Sequence, residues 1–169
     1  MSSTAVLEEA FGRIPDAVRA AVSGLDADQL AFRPPGTGAG GNSIAWLVWH
    51  LTRVQDSHIA DAASLPELWS EGWSNRFGLD LDETDTGYGH SSAKVDRVHP
   101  AGPGVLLDYY GAVHTRTMGF IAGLGEVDLD RIVDASWDPP VTLRVRLISV
   151  IEDCLQHAGQ AAYVRGLLP

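Results

Sequence analysis

The chain has 169 residues, 45% of them hydrophobic, which is enough to bury a core in one domain spanning residues 1–169. Its 22 acidic and 12 basic residues give a net charge of −10, which argues against nucleic acid or an anionic membrane surface as a partner. Residues 1–6 lack the features of a signal peptide, and no stretch approaches the ~20 apolar residues of a membrane span. Cys154 is the one cysteine, so no internal disulfide can form and we expect a cytoplasmic protein.

The N-terminal segment shows the periodicity of an amphipathic helix. Apolar residues recur every three or four positions, and Pro15 predicts a kink or break within the helix. This stripe consists of Leu7, Phe11, Ile14, Val18, Val22 and Leu25. Residues 25–41 are predicted to form a loop, because Pro34-Pro35-Gly36 and the glycines of Gly38 to Gly41 disfavour regular structure.

Three further helices are predicted along the chain. The second begins at an N-cap of Asn42 or Ser43, runs to about Ala62, and is apolar nearly all round, which places it at the centre. The third begins near Pro103, and the fourth covers residues 143–168. Together these segments predict an all-α fold, an antiparallel four-helix bundle with a long connection between its second and third helices.

That connection, residues 63–102, is too long to lack structure in a compact domain. Trp69, Trp73 and Phe77 lie four residues apart, which predicts a short helix packed as a lid. Its acidic stretch is not a calcium loop, since Asp85 and Ser91 stand where an EF-hand beginning at Asp80 needs glycine and glutamate. Residues 133–141, with Pro139-Pro140, are predicted to be an extended connection.

The fourth helix carries Asp153 and His157 four residues apart. This spacing amounts to about 6 Å of rise and roughly 40° of rotation, so both side chains leave one face of the helix. His50 lies in the apolar second helix. A histidine alone is usually a buried residue with a hydrogen-bond partner, but a carboxylate with two inward histidines favours a shared divalent metal.

Three protein ligands leave coordination positions open, as in catalytic zinc sites. Because two histidines and a carboxylate also bind non-haem iron, the residues alone do not choose the metal. We expect Zn²⁺, with Ni²⁺, Mn²⁺ or Fe²⁺ as alternatives.

Residues 42–51, NSIAWLVWHL, and 153–166, DCLQHAGQAAYVRG, resemble the DinB superfamily of metal-binding four-helix bundles. Members commonly have a histidine in the second helix and a His-x-x-x-His-x-Gly-Gln motif near the C-terminus. Here Asp153 replaces the first histidine of that motif, and the chain is similar in this respect to the mycothiol-dependent maleylpyruvate isomerase branch. The resemblance covers essentially the whole chain.

The resemblance implies a metal-dependent transferase that conjugates a low-molecular-weight thiol to an electrophile. A thiol of pKa ~8.5 is mostly protonated at neutral pH, and a metal would favour its ionised form. Of mycothiol, bacillithiol and glutathione we expect mycothiol, because arginine greatly outnumbers lysine, Lys94 being the one lysine. This bias is typical of a GC-rich genome and, with mycothiol, indicates an actinobacterial source.

Other residues are candidates for supporting roles, each with a simpler alternative. His114 is the candidate base or outer partner of the metal, although a locally bonded histidine is the simpler interpretation. Arg53 and Arg165 are candidates for binding carboxylates of the thiol cosubstrate, with solvated ion pairs as the alternative. Cys154 is expected to be a core residue, and His90 an ordinary loop residue.

Two other functions stay open at this point. The same scaffold could support isomerisation or hydrolysis through a metal-bound water. Alternatively, the protein could be a non-enzymatic, damage-inducible metal-binding module. Whether the bundle forms a homodimer is also left open by the sequence.

Overall fold

The computed structural model describes residues 2–35 and 41–169. Its first helical segment is broken in two, as Pro15 predicts: α1 spans Ser3–Gly12 and α2 spans Ile14–Val22, with Pro15 in the first turn of α2. The predicted loop after it is wrong in one part, because α3 forms over Ala27–Ala31. Asp26 and Gln29 make a capping box there, which stabilises a single helical turn. The predicted loop residues Gly36 and Gly38 to Gly40 lie outside the described residues.

The central helix, α4, spans Ile44–Ala63. The Ser43 hydroxyl caps it by accepting a hydrogen bond from the backbone N–H of Trp46 at 3.1 Å. Ser64 ends it in the left-handed conformation. Nearly every side chain of its first half is buried, which confirms the prediction that this helix lies at the centre.

The last two long helices are α7, Pro103–Ala122, and α8, Leu143–Arg165. Helix α4 packs against both, and α2 packs against α8. His50 of α4 lies beside His157, and His58 further along α4 lies beside Arg146, so α4 and α8 run antiparallel. The predicted antiparallel four-helix bundle is therefore confirmed, with α1 and α2 together as its first member.

The connections carry short elements. Between α4 and α7 lie a turn of π-helix at Trp69–Trp73, then α5, Ser74–Phe77, and α6, Ser92–Val95. A 3₁₀ turn at Glu126–Asp130 precedes a hairpin of β1, Ile132–Asp134, and β2, Val141–Thr142. The strands pair antiparallel, with Ile132 opposite Thr142, which fits the extended connection predicted there. Within the described residues, no helix is long and apolar enough to cross a lipid bilayer.

Candidate metal centre

His50 lies in the first half of α4, with 5% of its surface exposed. Its ring stacks on Trp46, with centroids 4.6 Å apart. Its Nδ1 donates to the backbone carbonyl of Thr86 at 2.5 Å. Because Nδ1 holds the proton of the neutral ring, Nε2 carries the lone pair that a metal would need.

Helix α8 contributes Asp153 and His157 from one face. His157 Nδ1 donates to Gln160 Oε1 at 2.8 Å, so its Nε2 is likewise the atom left to bind a metal. That Nε2 lies 3.4 Å from Asp153 Oδ1. The rings of His50 and His157 meet edge to face, with centroids 4.8 Å apart. One ligand atom from each of His50, Asp153 and His157 lies within 4.8 Å of the other two, so we call them the ligand trio.

The pKa values of the two imidazoles in the trio are shifted in opposite directions. Burial lowers the pKa of His50 more than the Thr86 carbonyl and Asp153 raise it, which keeps this ring neutral. Burial also acts to lower the pKa of His157, but hydrogen bonds to Asp153 and Gln160 outweigh it and raise the pKa. A proton on Nε2 of His157 would therefore compete with a metal for that atom.

The donor set fits a divalent transition metal. Two imidazole nitrogens and a carboxylate are ligands that zinc, nickel, manganese or iron accept. Asp153 Oδ2 is buried and has no hydrogen-bond partner among the described residues. A buried carboxylate oxygen without a partner is costly, and coordination to a cation would remove that cost.

The loop Asp85–His90 supports the trio from outside. Asp85 Oδ1 accepts from the Gly87 N–H at 3.0 Å and from His90 Nε2 at 2.7 Å. The other ring nitrogen of His90 accepts from the indole of Trp46 at 3.0 Å. Through these bonds the loop holds the Thr86 carbonyl against His50.

The absence of a side chain at Gly87 allows this loop to approach His50. Its φ is +91°, and a Cβ there would lie 2.7 Å from His50 Nδ1. The sequence does not predict that Thr86 and Gly87 lie against His50. Nor does it predict that His90, whose side chain is 1% exposed, bonds Trp46 beside it. The run Asp-Thr-Gly-Tyr-Gly-His at 85–90 is a signal for a tight turn, but nothing local indicates what the turn contacts.

Comparison with known proteins identifies the family. The family model for mycothiol-S-transferases matches residues 6–169. The chain belongs to the mycothiol-S-transferase family. A crystal structure described as the conserved protein of locus from Enterococcus faecalis is similar, with a TM-score of 0.88 and 31% identity, covering 98% of this chain and 96% of that chain. A comparison with functionally curated proteins gives no match.

The candidate base of this mycothiol-S-transferase family member, His114, lies in α7. Its ring stacks on Tyr110 with centroids 5.9 Å apart, and burial lowers its pKa. In the described part of the chain, no hydrogen bond, ion pair or ring contact joins His114 to the ligand trio. Its role as a base stays a prediction.

The two candidate cosubstrate arginines have structural partners. Arg53 is fully buried, where it donates to Glu67 at 2.7 Å and to the carbonyl of Asp85 at 3.2 Å. Arg165 donates to the carbonyl of Ser23 at 2.9 Å. Arg53 thus ties the Asp85–His90 loop to the core, and binding of a thiol carboxylate by either arginine stays a prediction.

The aromatic residues expected to form a lid pack elsewhere. Trp69, Trp73 and Phe77 surround Tyr109, with ring centroids 5.3–5.7 Å from it. The reason is a break at Gly72, whose φ of +115° interrupts the predicted helix and turns the rings towards α7. Cys154 is buried in the core, as expected, and burial raises its pKa.

A groove of about 470 Å³ opens beside the trio instead. It lies between α8, the start of α4 and the chain leading into α4. Gln160, the hydrogen-bond partner of His157, forms part of its wall. The remaining lining is mostly apolar: Pro34, Asn42, Leu47, Gly159, Tyr163 and Val164. We call this the apolar groove.

Proposed function

We propose that the protein transfers mycothiol to an electrophilic carbon, with a divalent metal, most simply Zn²⁺, held by His50, Asp153 and His157. The observation that carries the proposal is the ligand trio itself. Both imidazoles keep Nε2 for a metal, and Asp153 offers a buried oxygen that has no hydrogen-bond partner among the described residues. The chain that carries them belongs to the mycothiol-S-transferase family.

When bound, a metal would supply positive charge that favours the ionised form of a thiol at neutral pH. The chain's own residues prepare the place for it. Thr86 and Gln160 fix the protons of the two histidines on Nδ1, and Trp46 holds the plane of the His50 ring. Such fixed outer contacts keep the three ligand atoms in position before the substrates arrive.

The transfer forms a carbon–sulfur bond and breaks the bond between that carbon and its leaving group. The leaving group departs with the bonding electron pair, and the thiol proton is released, so the products are the thioether and the protonated leaving group. Asp153 and His157 have 28% and 18% of their side-chain surface exposed, which gives the proton a path to solvent. His114 stays the predicted base for this step.

The electrophile would occupy the apolar groove. Leu47, Tyr163 and Val164 give it an apolar wall, and Gln160 brings that wall next to His157. An apolar compound with an activated carbon would bury its surface there while its reactive atom lies near the trio.

The test is a transfer assay with mycothiol, bacillithiol or glutathione and a chlorodinitrobenzene or bimane electrophile. We expect metal-dependent turnover that is fastest with mycothiol. Asp153→Asn should lower turnover at least about 100-fold and also reduce the bound metal, because it removes a ligand charge. Glu152→Gln is the matched control, since Glu152 is an exposed neighbour on α8 whose carboxylate accepts a hydrogen bond from Gln156 on the helix surface.

Three results would each decide a part of the proposal. Turnover no faster than the uncatalysed reaction, in protein shown to contain metal, would reject the transferase function. Equal rates with all three thiols would reject mycothiol as the preferred donor. Full metal occupancy in Asp153→Asn would reject the ligand assignment.

A further inference from the structure

A second pocket of about 300 Å³ lies between the β1–β2 hairpin and helices α4 and α8. Its polar side chains are His58 from α4, Arg146 and Ser149 from α8, and Asp134 from the hairpin. The ring of Trp137, at the turn of the hairpin, is 66% exposed. We call this the hairpin pocket.

The polar groups of the hairpin pocket are fixed by one another. Arg146 donates through Nη1 to His58 Nδ1 and through Nη2 to Asp134 at 3.2 Å. Ser136 donates twice to the other carboxylate oxygen of Asp134. Because His58 Nδ1 accepts, the proton of the neutral ring is on Nε2, which has no partner in the described part of the chain. Burial and the charge of Arg146 both lower the pKa of His58, so the ring stays neutral.

The side chains of the hairpin pocket suit a sugar or polyol better than an anion. The charge of Arg146 is already matched by Asp134, so a phosphate or carboxylate would gain little there. A sugar ring has an apolar C–H face that can lie on an exposed aromatic ring, here Trp137, and hydroxyl groups that need fixed donors and acceptors. His58 and Asp134 provide one of each.

The hairpin pocket and the ligand trio lie along the same two helices. His58 follows His50 by two turns of α4, and Arg146 precedes Asp153 by two turns of α8, which is roughly 10–12 Å along either axis. Half-buried Val54 lies between the histidines on α4. Mycothiol has a cysteinyl arm that carries the thiol and, beyond it, a glucosamine and an inositol ring, so its sulfur and its rings are separated on this scale.

We infer that the hairpin pocket binds the sugar part of a glycosylated thiol and thereby directs its sulfur to the ligand trio. The inference rests on the proposed function, to which it adds the basis for choosing mycothiol over thiols without sugar. Trp137 contributes the stacking face, and the Arg146–Asp134 pair with His58 contributes the fixed polar groups.

The experiment compares Trp137→Ala with Trp137→Phe, which keeps an aromatic face, and with Val127→Ala, a control at another exposed apolar residue. Because Trp137 is exposed, its removal should leave folding intact. In metal-loaded protein, Trp137→Ala should raise KM for mycothiol about five- to tenfold, with kcat unchanged. KM for N-acetylcysteine, which lacks the rings, should stay the same. The phenylalanine variant and the control should behave like wild type.

A second readout needs no turnover. Metal-free protein is titrated with the glucosaminyl-inositol pseudodisaccharide, and binding is followed by ligand-observed NMR. Wild type should bind it and Trp137→Ala should not. Binding without transfer of any thiol would reject the proposed function and keep the hairpin pocket. Mycothiol transfer that Trp137→Ala leaves unchanged, with no pseudodisaccharide binding, would reject the hairpin pocket and keep the function.

Discussion

Replacing Gly87 by alanine should weaken metal binding although Gly87 offers no ligand. A Cβ at this position would lie 2.7 Å from His50 Nδ1, 3.0 Å from the ring of Trp49 and 3.2 Å from that of Trp46. All three side chains are buried in α4, so they cannot move aside. The Asp85–His90 loop must retreat instead, and the Thr86 carbonyl then leaves His50 Nδ1.

Gly87→Ala should have two separate effects, a loss of folding stability and a loss of metal affinity. The positive φ of Gly87 costs an alanine about 1–2 kcal/mol of stability, and crowding against a packed core adds about 1–3 kcal/mol. Losing the hydrogen bond that fixes a metal-ligating histidine typically lowers metal affinity about 10- to 100-fold. By the usual conversion, that is about 1.4–2.8 kcal/mol of binding free energy.

Gly89→Ala is the control that separates these parts. Gly89 lies in the same loop with a φ of +69°, but a Cβ there would meet no atom of the described residues within 4 Å. Both variants should therefore lose stability in urea unfolding of the metal-free protein. Only Gly87→Ala should bind metal more weakly in a competition titration against a chelator. Equal metal affinity in the two variants would refute the role assigned to the loop.

Three further predictions concern the bundle and its buried groups. Removing metal with a chelator should leave the helical circular dichroism signal intact, because the apolar core is complete without it; a large loss would show that metal drives folding. Burial alone would raise the pKa of Asp85, but hydrogen bonds from Lys94, Gly87 and His90 lower it from 3.8 to about 2. Asp85 therefore stabilises the fold, by up to about 2 kcal/mol, above pH 4, and this contribution disappears as the pH falls towards 2. Asp85→Asn should therefore have a lower free energy of unfolding than wild type above pH 4, and this difference should shrink as the pH falls below 4. A difference that does not change with pH would contradict the role assigned to the Asp85 carboxylate. Cys154→Ala should keep transferase activity, since burial raises the pKa of this thiol and keeps it from acting as a nucleophile; loss of activity at unchanged metal content would contradict this.

The elements that sequence predicts well are those decided by local interactions. The Ser43 cap, the break before Pro15 and the start of α7 at Pro103 each depend on neighbouring residues. Helix α3 also has a local signal, the capping box of Asp26 and Gln29. The prolines and glycines that follow it favour a loop and obscure this signal. The four-residue spacing of Asp153 and His157 is local as well, and it suffices to predict that both side chains leave one face of α8.

The outer contacts of the site could not be predicted in this way. Trp46 meets His90, and His50 meets Thr86, across long stretches of chain that have no common periodicity. Helical spacing gives the direction of a side chain, but it does not say which loop covers it. The aromatic residues show the same limit, since the four-residue spacing of Trp69 and Trp73 spans a glycine that breaks the helix.

The positions of the two pockets suggest from which side each substrate of the proposed reaction reaches the trio. The apolar groove is lined by Gln160, the hydrogen-bond partner of His157, towards the C-terminal end of α8. The hairpin pocket is lined by Arg146, towards the N-terminal end of the same helix. A thiol held by its sugar on one side and an apolar electrophile held on the other would approach the trio from opposite ends of α8. Each substrate would then be recognised by its own surface, and only the reacting sulfur and carbon would meet at the trio. Such an arrangement lets the electrophile vary through changes in the apolar groove while the thiol specificity set by the hairpin stays the same.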